Sequence, residues 1–111
     1  MDDNLISREE YVDAVLTAYR QAPGTAGTVR RPDRLLAAQL HERGVALMAV
    51  ENALVLAAAR RMIRPAGSPP RATIRSLAYF LPVIEEVLSL NVSPGYYQHL
   101  RHKIERAAQA R

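Results

Sequence analysis

Cysteine and tryptophan are absent from this chain of 111 residues, and phenylalanine and lysine each occur once. Without cysteine, disulfides and thiolate metal sites are excluded. Apolar runs are short, since the longest, Ala53–Ala59, falls far below the roughly 20 residues that span a membrane. The opening MDDNLISREE is acidic and polar and predicts no secretory signal. We therefore expect a cytoplasmic protein that does not bind membranes.

Length and composition predict one globular domain over residues 1–111, because this size buries a sizeable core but is too small for two domains. The net charge of +4 is unevenly distributed. Residues 1–19 hold one Arg and five acidic residues, whereas residues 20–80 hold ten Arg and three acidic residues. The planar guanidinium of arginine suits phosphate, so an anionic partner is expected to bind residues 20–80.

Apolar periodicity predicts an all-α fold, a compact bundle of about five helices around a buried central helix. Ser7 and Glu10 have capping-box spacing, which starts the first helix. Asp33 is placed to cap the second helix, and Gly44 to stop it. Pro82 is expected to kink or split the fourth. The predicted helices cover residues 8–21, 33–43, 46–63, 74–90 and 94–109.

The central helix lies within Val45–Arg64 and is apolar on two sides, which predicts burial between neighbours. One predicted stripe comprises Leu47, Val50, Leu54 and Ala57, and the other comprises Met48, Val55 and Met62. The glycine at its start invites a helix-turn-helix interpretation. The helix nevertheless runs on through Ala59 without the second turn that a recognition helix requires. We therefore expect a plain helical hairpin here.

Arginines cluster around two loops rich in Pro and Gly, residues 22–32 and 64–73. Three end the central helix, where the helix dipole explains only part of the charge. If the two loops lie on one side of the protein, all of these arginines can contact one phosphate backbone. The candidate nucleic-acid-binding residues are Arg60, Arg61, Arg64, Arg71 and Arg75, joined by Arg30, Arg31 and Arg34. An ordinary solvated basic face accounts for the same pattern equally well.

Catalysis, cofactor binding and metal binding are not expected from the remaining polar residues. No nucleophile is paired with a base and an orienting group. Glu85 and Glu86 are adjacent on a helix and do not converge on one substrate atom. His99, His102 and Glu105 share a helix face, but a metal there would need ligands from another helix.

A helix that ends in a glycine turn leads into the central helix, and a Pro-rich loop then precedes a helix opening with S-L-x-Y. The residues that carry this pattern are Gly44, Val50, Ala53, Leu54, Ala57, Ser76, Leu77 and Tyr79. Over residues 33–90 the chain resembles the helical DnaD-like modules of bacterial replication-initiation and primosome-loading proteins. The family's tail motif, which contains a Trp, is missing. The resemblance implies DNA binding and assembly with replication or mobile-element machinery.

The leading hypothesis is a non-enzymatic DNA-binding accessory module that uses mainly Arg–phosphate contacts. The rival is a protein–protein adaptor or homo-oligomeric helical module that docks a larger replication or recombination enzyme without binding nucleic acid. The strandedness of the DNA stays open. Exposed aromatic rings would stack unpaired bases and favour single strands. The candidates for such stacking are Tyr79, Phe80, Tyr96 and Tyr97.

Overall fold

Five α-helices and no strand make up the regular structure of the described residues, which a computed structural model provides for 6–63, 67–69, 72–89 and 94–109. The helices are α1 (Arg8–Gln21), α2 (Arg31–Glu42), α3 (Leu47–Met62), α4 (Leu81–Ser89) and α5 (Pro94–Gln109). A 3-10 turn, Leu77–Phe80, leads into α4. The predicted all-α bundle is confirmed. In the described ranges no helix is both long and apolar enough to cross a bilayer.

Capping explains where α1 and α2 begin. The predicted capping box is present, because Glu10 N–H donates to Ser7 Oγ at 3.1 Å and Ser7 N–H donates to Glu10 Oε1 at 3.4 Å. The prediction that Asp33 occupies the N-cap is wrong. Arg30 is the N-cap, and Asp33 lies three residues into the helix, where its carboxylate accepts from Arg30 N–H at 2.8 Å. Pro32 tolerates this earlier start because the first turn needs no proline N–H.

Gly44 ends α2, as predicted, with a φ of +76°. Its N–H donates to the carbonyl of His41 at 3.0 Å, and Val45 N–H donates to the carbonyl of Leu40 at 3.1 Å. These two bonds form a Schellman motif, which satisfies carbonyls that the helix end leaves open. The left-handed backbone at residue 44 explains why glycine stands there.

The predicted hairpin of α2 and α3 is wrong, because α2 packs mainly on α1 and the 3-10 turn, whereas α3 packs on α1, α4 and α5. Tyr11 of α1 occupies the corner between α2 and α3. Its hydroxyl donates to the carbonyl of Val45 at 2.7 Å, and its ring lies edge-on to His41 at 5.1 Å. An aromatic side chain from a third helix therefore fills the corner.

The second half of α3 is the buried centre of the bundle. Four successive residues, Leu56 to Ala59, are each at most 6 % exposed, so neighbouring helices surround this part of α3. The first predicted stripe is largely buried, with Leu47 half-covered. The second is wrong, since Met48 is 55 % and Met62 39 % exposed. Both methionines lie in the terminal turns of α3, whereas the alanine-rich second half admits close neighbours.

The helix predicted over residues 74–90 is shorter than expected. Ile74 is extended and pairs with another loop, and α4 begins only at Leu81. Pro82 therefore lies in the first turn of α4, where its missing N–H costs nothing. The predicted split near this proline is confirmed, but the first segment is a 3-10 turn rather than an α-helix.

Two buried tyrosines of α1 differ in how their hydroxyls are satisfied. Tyr11 and Tyr19 are both 0 % exposed. Tyr11 donates to the carbonyl of Val45, whereas the Tyr19 hydroxyl has no hydrogen-bond partner among the described residues. Burial raises the pKa of Tyr19, and the carboxylate of Asp33 raises it further against the opposing charge of Arg30. The Tyr19 hydroxyl therefore stays neutral and is desolvated without compensation.

We expect Tyr11→Phe to lower stability and Tyr19→Phe not to lower it. Tyr11→Phe leaves a buried carbonyl unpaired and should lower the free energy of unfolding by about 1–2 kcal/mol. Tyr19→Phe removes an unsatisfied hydroxyl and should leave stability unchanged or raise it by up to about 1 kcal/mol. Urea denaturation followed by circular dichroism measures both. If both variants lost the same free energy of unfolding, the Tyr19 hydroxyl could not be the unsatisfied group described above.

Candidate nucleic-acid interface

The first Pro- and Gly-rich loop contacts the segment that directly follows the second. Ile74 N–H donates to the carbonyl of Gly24 at 2.8 Å, and Ala26 N–H donates to the carbonyl of Ile74 at 2.8 Å. Thr25 and Ile74 thereby form one isolated parallel bridge. We call the surface formed by residues 22–34 and 72–79 the two-loop surface. The bridge brings the segment that holds Arg75 next to the loop that ends at Arg30 and Arg31.

Asp33 is a second connection between the two segments. Its Oδ1 accepts from Leu77 N–H at 2.9 Å, and its Oδ2 accepts from Arg30 N–H at 2.8 Å. The residue is only 2 % exposed. One buried carboxylate therefore holds the start of α2 against the start of the 3-10 turn, and both of its oxygens have backbone donors.

Arg61 is a third connection, from the last turn of α3. Its Nη2 donates to the carbonyl of Ala72 at 3.0 Å, and its Nη1 donates to the Tyr79 hydroxyl at 3.4 Å. Its Cζ lies 5.8 Å from the centre of the Tyr79 ring, a cation–π contact. A Cβ at Gly24 would lie 3.1 Å from its Nε, and the φ of +88° there also favours glycine. Arg61 thus supports the surface from within.

Arg60 faces α4 and forms paired hydrogen bonds with Glu86, one of them 2.8 Å long. The hydrogen bond from Arg60 lowers the pKa of the Glu86 carboxyl below its usual 4.5. Arg60 and Arg61, both predicted to bind phosphate, therefore have partners within the molecule. Arg64 and Arg71 lie outside the described residues, and their predicted roles stay predictions.

The other four candidate arginines are on the two-loop surface with exposed side chains. Their guanidinium groups form no ion pair and no hydrogen bond with another described residue. They are Arg30, Arg31, Arg34 and Arg75. Two arginines elsewhere are paired instead, Arg8 with Glu42 at 3.4 Å and Arg43 with Glu85 at 2.7 Å. The acidic residue of this surface is buried and hydrogen-bonded, so the surface offers outward-facing positive charge.

Three features of this surface were missed from the sequence. The double role of Asp33 had one local signal, because Pro32 before it places an acidic residue in the first turn of a helix. The cap of the 3-10 turn had another, since Ser76 Oγ accepts from Ala78 N–H at 3.1 Å in a short local turn. The bridge between Thr25 and Ile74 has no such signal.

A separate apolar groove lies between α1, α3 and α5, with a volume of about 450 Å³. Leu54, Val55 and Ile104 line it, and Glu51, Arg101 and Glu105 contribute charge. Within the described ranges no three His, Asp or Glu side chains converge on a metal-sized site. The groove combines mainly apolar side chains with a few charged ones, a composition common in sites for small molecules or protein segments.

No family model, curated protein or solved structure matches this chain. The DnaD-like resemblance therefore stays a prediction, and the case for a function rests on the geometry of the two-loop surface.

Proposed function

We propose that the protein is a non-enzymatic DNA-binding accessory module of replication or mobile-element machinery, and that it contacts phosphates through the two-loop surface. The observation that carries this proposal is the backbone pairing of Ile74 with Gly24 and Ala26. It joins the segment that contains Arg75 to the loop that precedes α2. Exposed arginines from two separate parts of the sequence are thereby carried on one surface.

The chemistry of this surface suits a phosphate backbone. Arginine forms two parallel hydrogen bonds with a phosphate and keeps its charge at any physiological pH. The N-terminus of α2 lies on the same surface, so the positive end of its dipole adds to the side-chain charge. Contacts of this kind neutralise phosphates without reading bases, so binding should depend little on sequence.

The sequence predicted that all of these arginines contact phosphate, whereas we now propose direct contact for only some of them. Exposed Arg30, Arg31, Arg34 and Arg75 would contact phosphates directly. Arg61 would act indirectly, by holding the 72–79 segment in place. This division follows from the intramolecular bonds of Arg60 and Arg61, which a phosphate would have to displace.

Fluorescence anisotropy with labelled DNA tests the proposal. Four phosphate contacts predict micromolar or tighter binding at about 50 mM salt, weakened roughly a hundredfold for duplex DNA at about 200 mM. Light scattering on the same sample reports the oligomeric state. Absence of binding at the lower salt concentration would refute the proposal.

The second candidate function is an adaptor that docks a larger DNA-processing enzyme or another copy of this chain. The apolar groove between α1, α3 and α5 favours it. The exposed side chains of Ile63 (69 %) and Met62 (39 %) at the end of α3 add apolar surface. A discrete dimer in light scattering, without DNA binding, is the result that this function predicts.

A further inference from the structure

Tyr79 is an exposed aromatic ring on the two-loop surface. It is 42 % exposed, whereas Tyr11, Tyr19 and Phe80 are at most 1 % exposed. Tyr96 is 45 % exposed but lies on α5, outside this surface. The side chain of Tyr97 lies outside the described residues. The surface that carries the outward-facing arginines therefore also carries an exposed ring.

The Tyr79 ring is held in place from two sides. It lies edge-on to buried Phe80, with ring centres 5.2 Å apart and an interplanar angle of 79°. Its hydroxyl accepts from Arg61 Nη1 at 3.4 Å. The 3-10 turn that carries it is capped by Ser76. A ring that is already ordered loses little conformational freedom when a ligand stacks on it.

The surroundings of the ring combine space with charge. Tyr79 and Arg75 line one concavity of about 620 Å³, together with Thr73 and Ser76. Tyr79 and Arg60 line a second concavity of about 260 Å³. A planar base beside the ring would thus lie next to the exposed guanidinium of Arg75. That arrangement matches a nucleotide, whose flat base and charged phosphate are joined by a short sugar.

We propose that Tyr79 stacks an unpaired nucleobase and that the two-loop surface therefore binds single-stranded DNA in preference to duplex DNA. This inference rests on the proposed function. In a duplex the faces of internal bases are covered by their neighbours, so only the end pairs offer the ring a face to stack on. In a single strand the bases turn outward, and an aromatic ring accepts any of them. The arginines then follow the phosphates on either side of the stacked base.

Three Tyr79 variants test the stacking by anisotropy with a single strand and with a blunt duplex of the same sequence. Tyr79→Leu should weaken single-strand binding about five- to fiftyfold and duplex binding little. Tyr79→Phe keeps the ring and should bind within about twofold of the wild type, since stacking needs only the aromatic face. Tyr96→Leu is the matched control, an exposed tyrosine on α5, and should change neither affinity.

Tyr79→Trp gives an independent spectroscopic readout, because the chain has no other tryptophan. Its fluorescence should be quenched by the single strand and not by the duplex, as stacking on a base predicts. This readout holds even if Tyr79→Leu destabilises the fold. The neighbouring aromatic residue, Phe80, is buried. The indole introduced at position 79 would therefore be the exposed ring at this place.

The outcomes separate this inference from the proposed function. Equal affinity for single strand and duplex, with no effect of Tyr79→Leu, overturns the stacking inference while DNA binding through arginine stands. Loss of binding in Tyr79→Leu and Tyr96→Leu alike also overturns it. No binding of either DNA at low salt overturns both.

Discussion

Replacing Asp33 with Ala should lower the free energy of unfolding by about 3 kcal/mol, because one buried and one partly buried N–H group lose their acceptor. Leu77 N–H and Arg30 N–H each donate to one oxygen of this carboxylate. Asp33 is 2 % exposed and Leu77 is fully buried, so water cannot readily replace the bond between them. The bond from Leu77 joins segments 44 residues apart, so its loss also frees the 3-10 turn from the start of α2.

Asp13→Ala is the matched control for this prediction. Asp13 is an exposed residue of α1 with the same side chain, and its replacement should change stability by less than about 0.5 kcal/mol. Asp33→Asn keeps one acceptor but turns an NH₂ group toward the second N–H. Its free energy of unfolding should therefore fall almost as far as that of Asp33→Ala. Urea denaturation followed by far-UV circular dichroism measures all three. An Asp33→Ala protein as stable as the control would show that this carboxylate does not hold the segments together.

Replacing Arg31, Arg34 and Arg75 together with Gln should weaken single-stranded DNA binding on the order of tenfold to a hundredfold at low salt. These side chains are exposed and have no partner among the described residues, so their loss should leave the fold unchanged. Three fewer phosphate contacts should also reduce the salt dependence, lowering the slope of log affinity against log salt by about 2. Anisotropy titrations across salt concentrations give both quantities.

The control for this prediction removes the same charge elsewhere. Arg101, Lys103 and Arg106 are exposed on α5, and changing all three to Gln lowers the net charge equally. This variant should lose only the weak long-range attraction between the protein's net charge and DNA, so its affinity for DNA should drop by less than about threefold. Similar losses in both triple variants would mean that net charge, rather than the two-loop surface, attracts the DNA.

The helices themselves were largely predictable because their signals are local. The Ser7 capping box and the Gly44 stop each involve residues within five positions of one another. Apolar periodicity likewise reports which face of a helix is covered. Prediction failed where a distant segment competed with the local pattern. Ile74 has helical spacing with the apolar residues after it, yet its backbone pairs with residues 24 and 26.

The candidate site was predictable only as a set of charges. The sequence shows where arginines cluster, but an arginine's availability depends on partners that another element supplies. Arg60 is 26 residues from Glu86, and Arg61 donates to the carbonyl of Ala72. Arg60 and Arg61, which belong to the cluster that looked most prominent in the sequence, have internal partners. Those near α2 and residue 75 face outward.

The lack of cysteine, the helical periodicity and the arginine-rich middle of the chain are properties of the sequence alone. They determined an all-α fold and a basic surface, because propensity, capping and net charge need no distant contact. Tertiary structure decided which arginines stay exposed and that the first loop contacts the segment after the second, because ion pairs and backbone bridges join residues up to fifty positions apart. The Ile74–Gly24 bond and the two-sided bonding of Asp33 are therefore the contacts that build this surface.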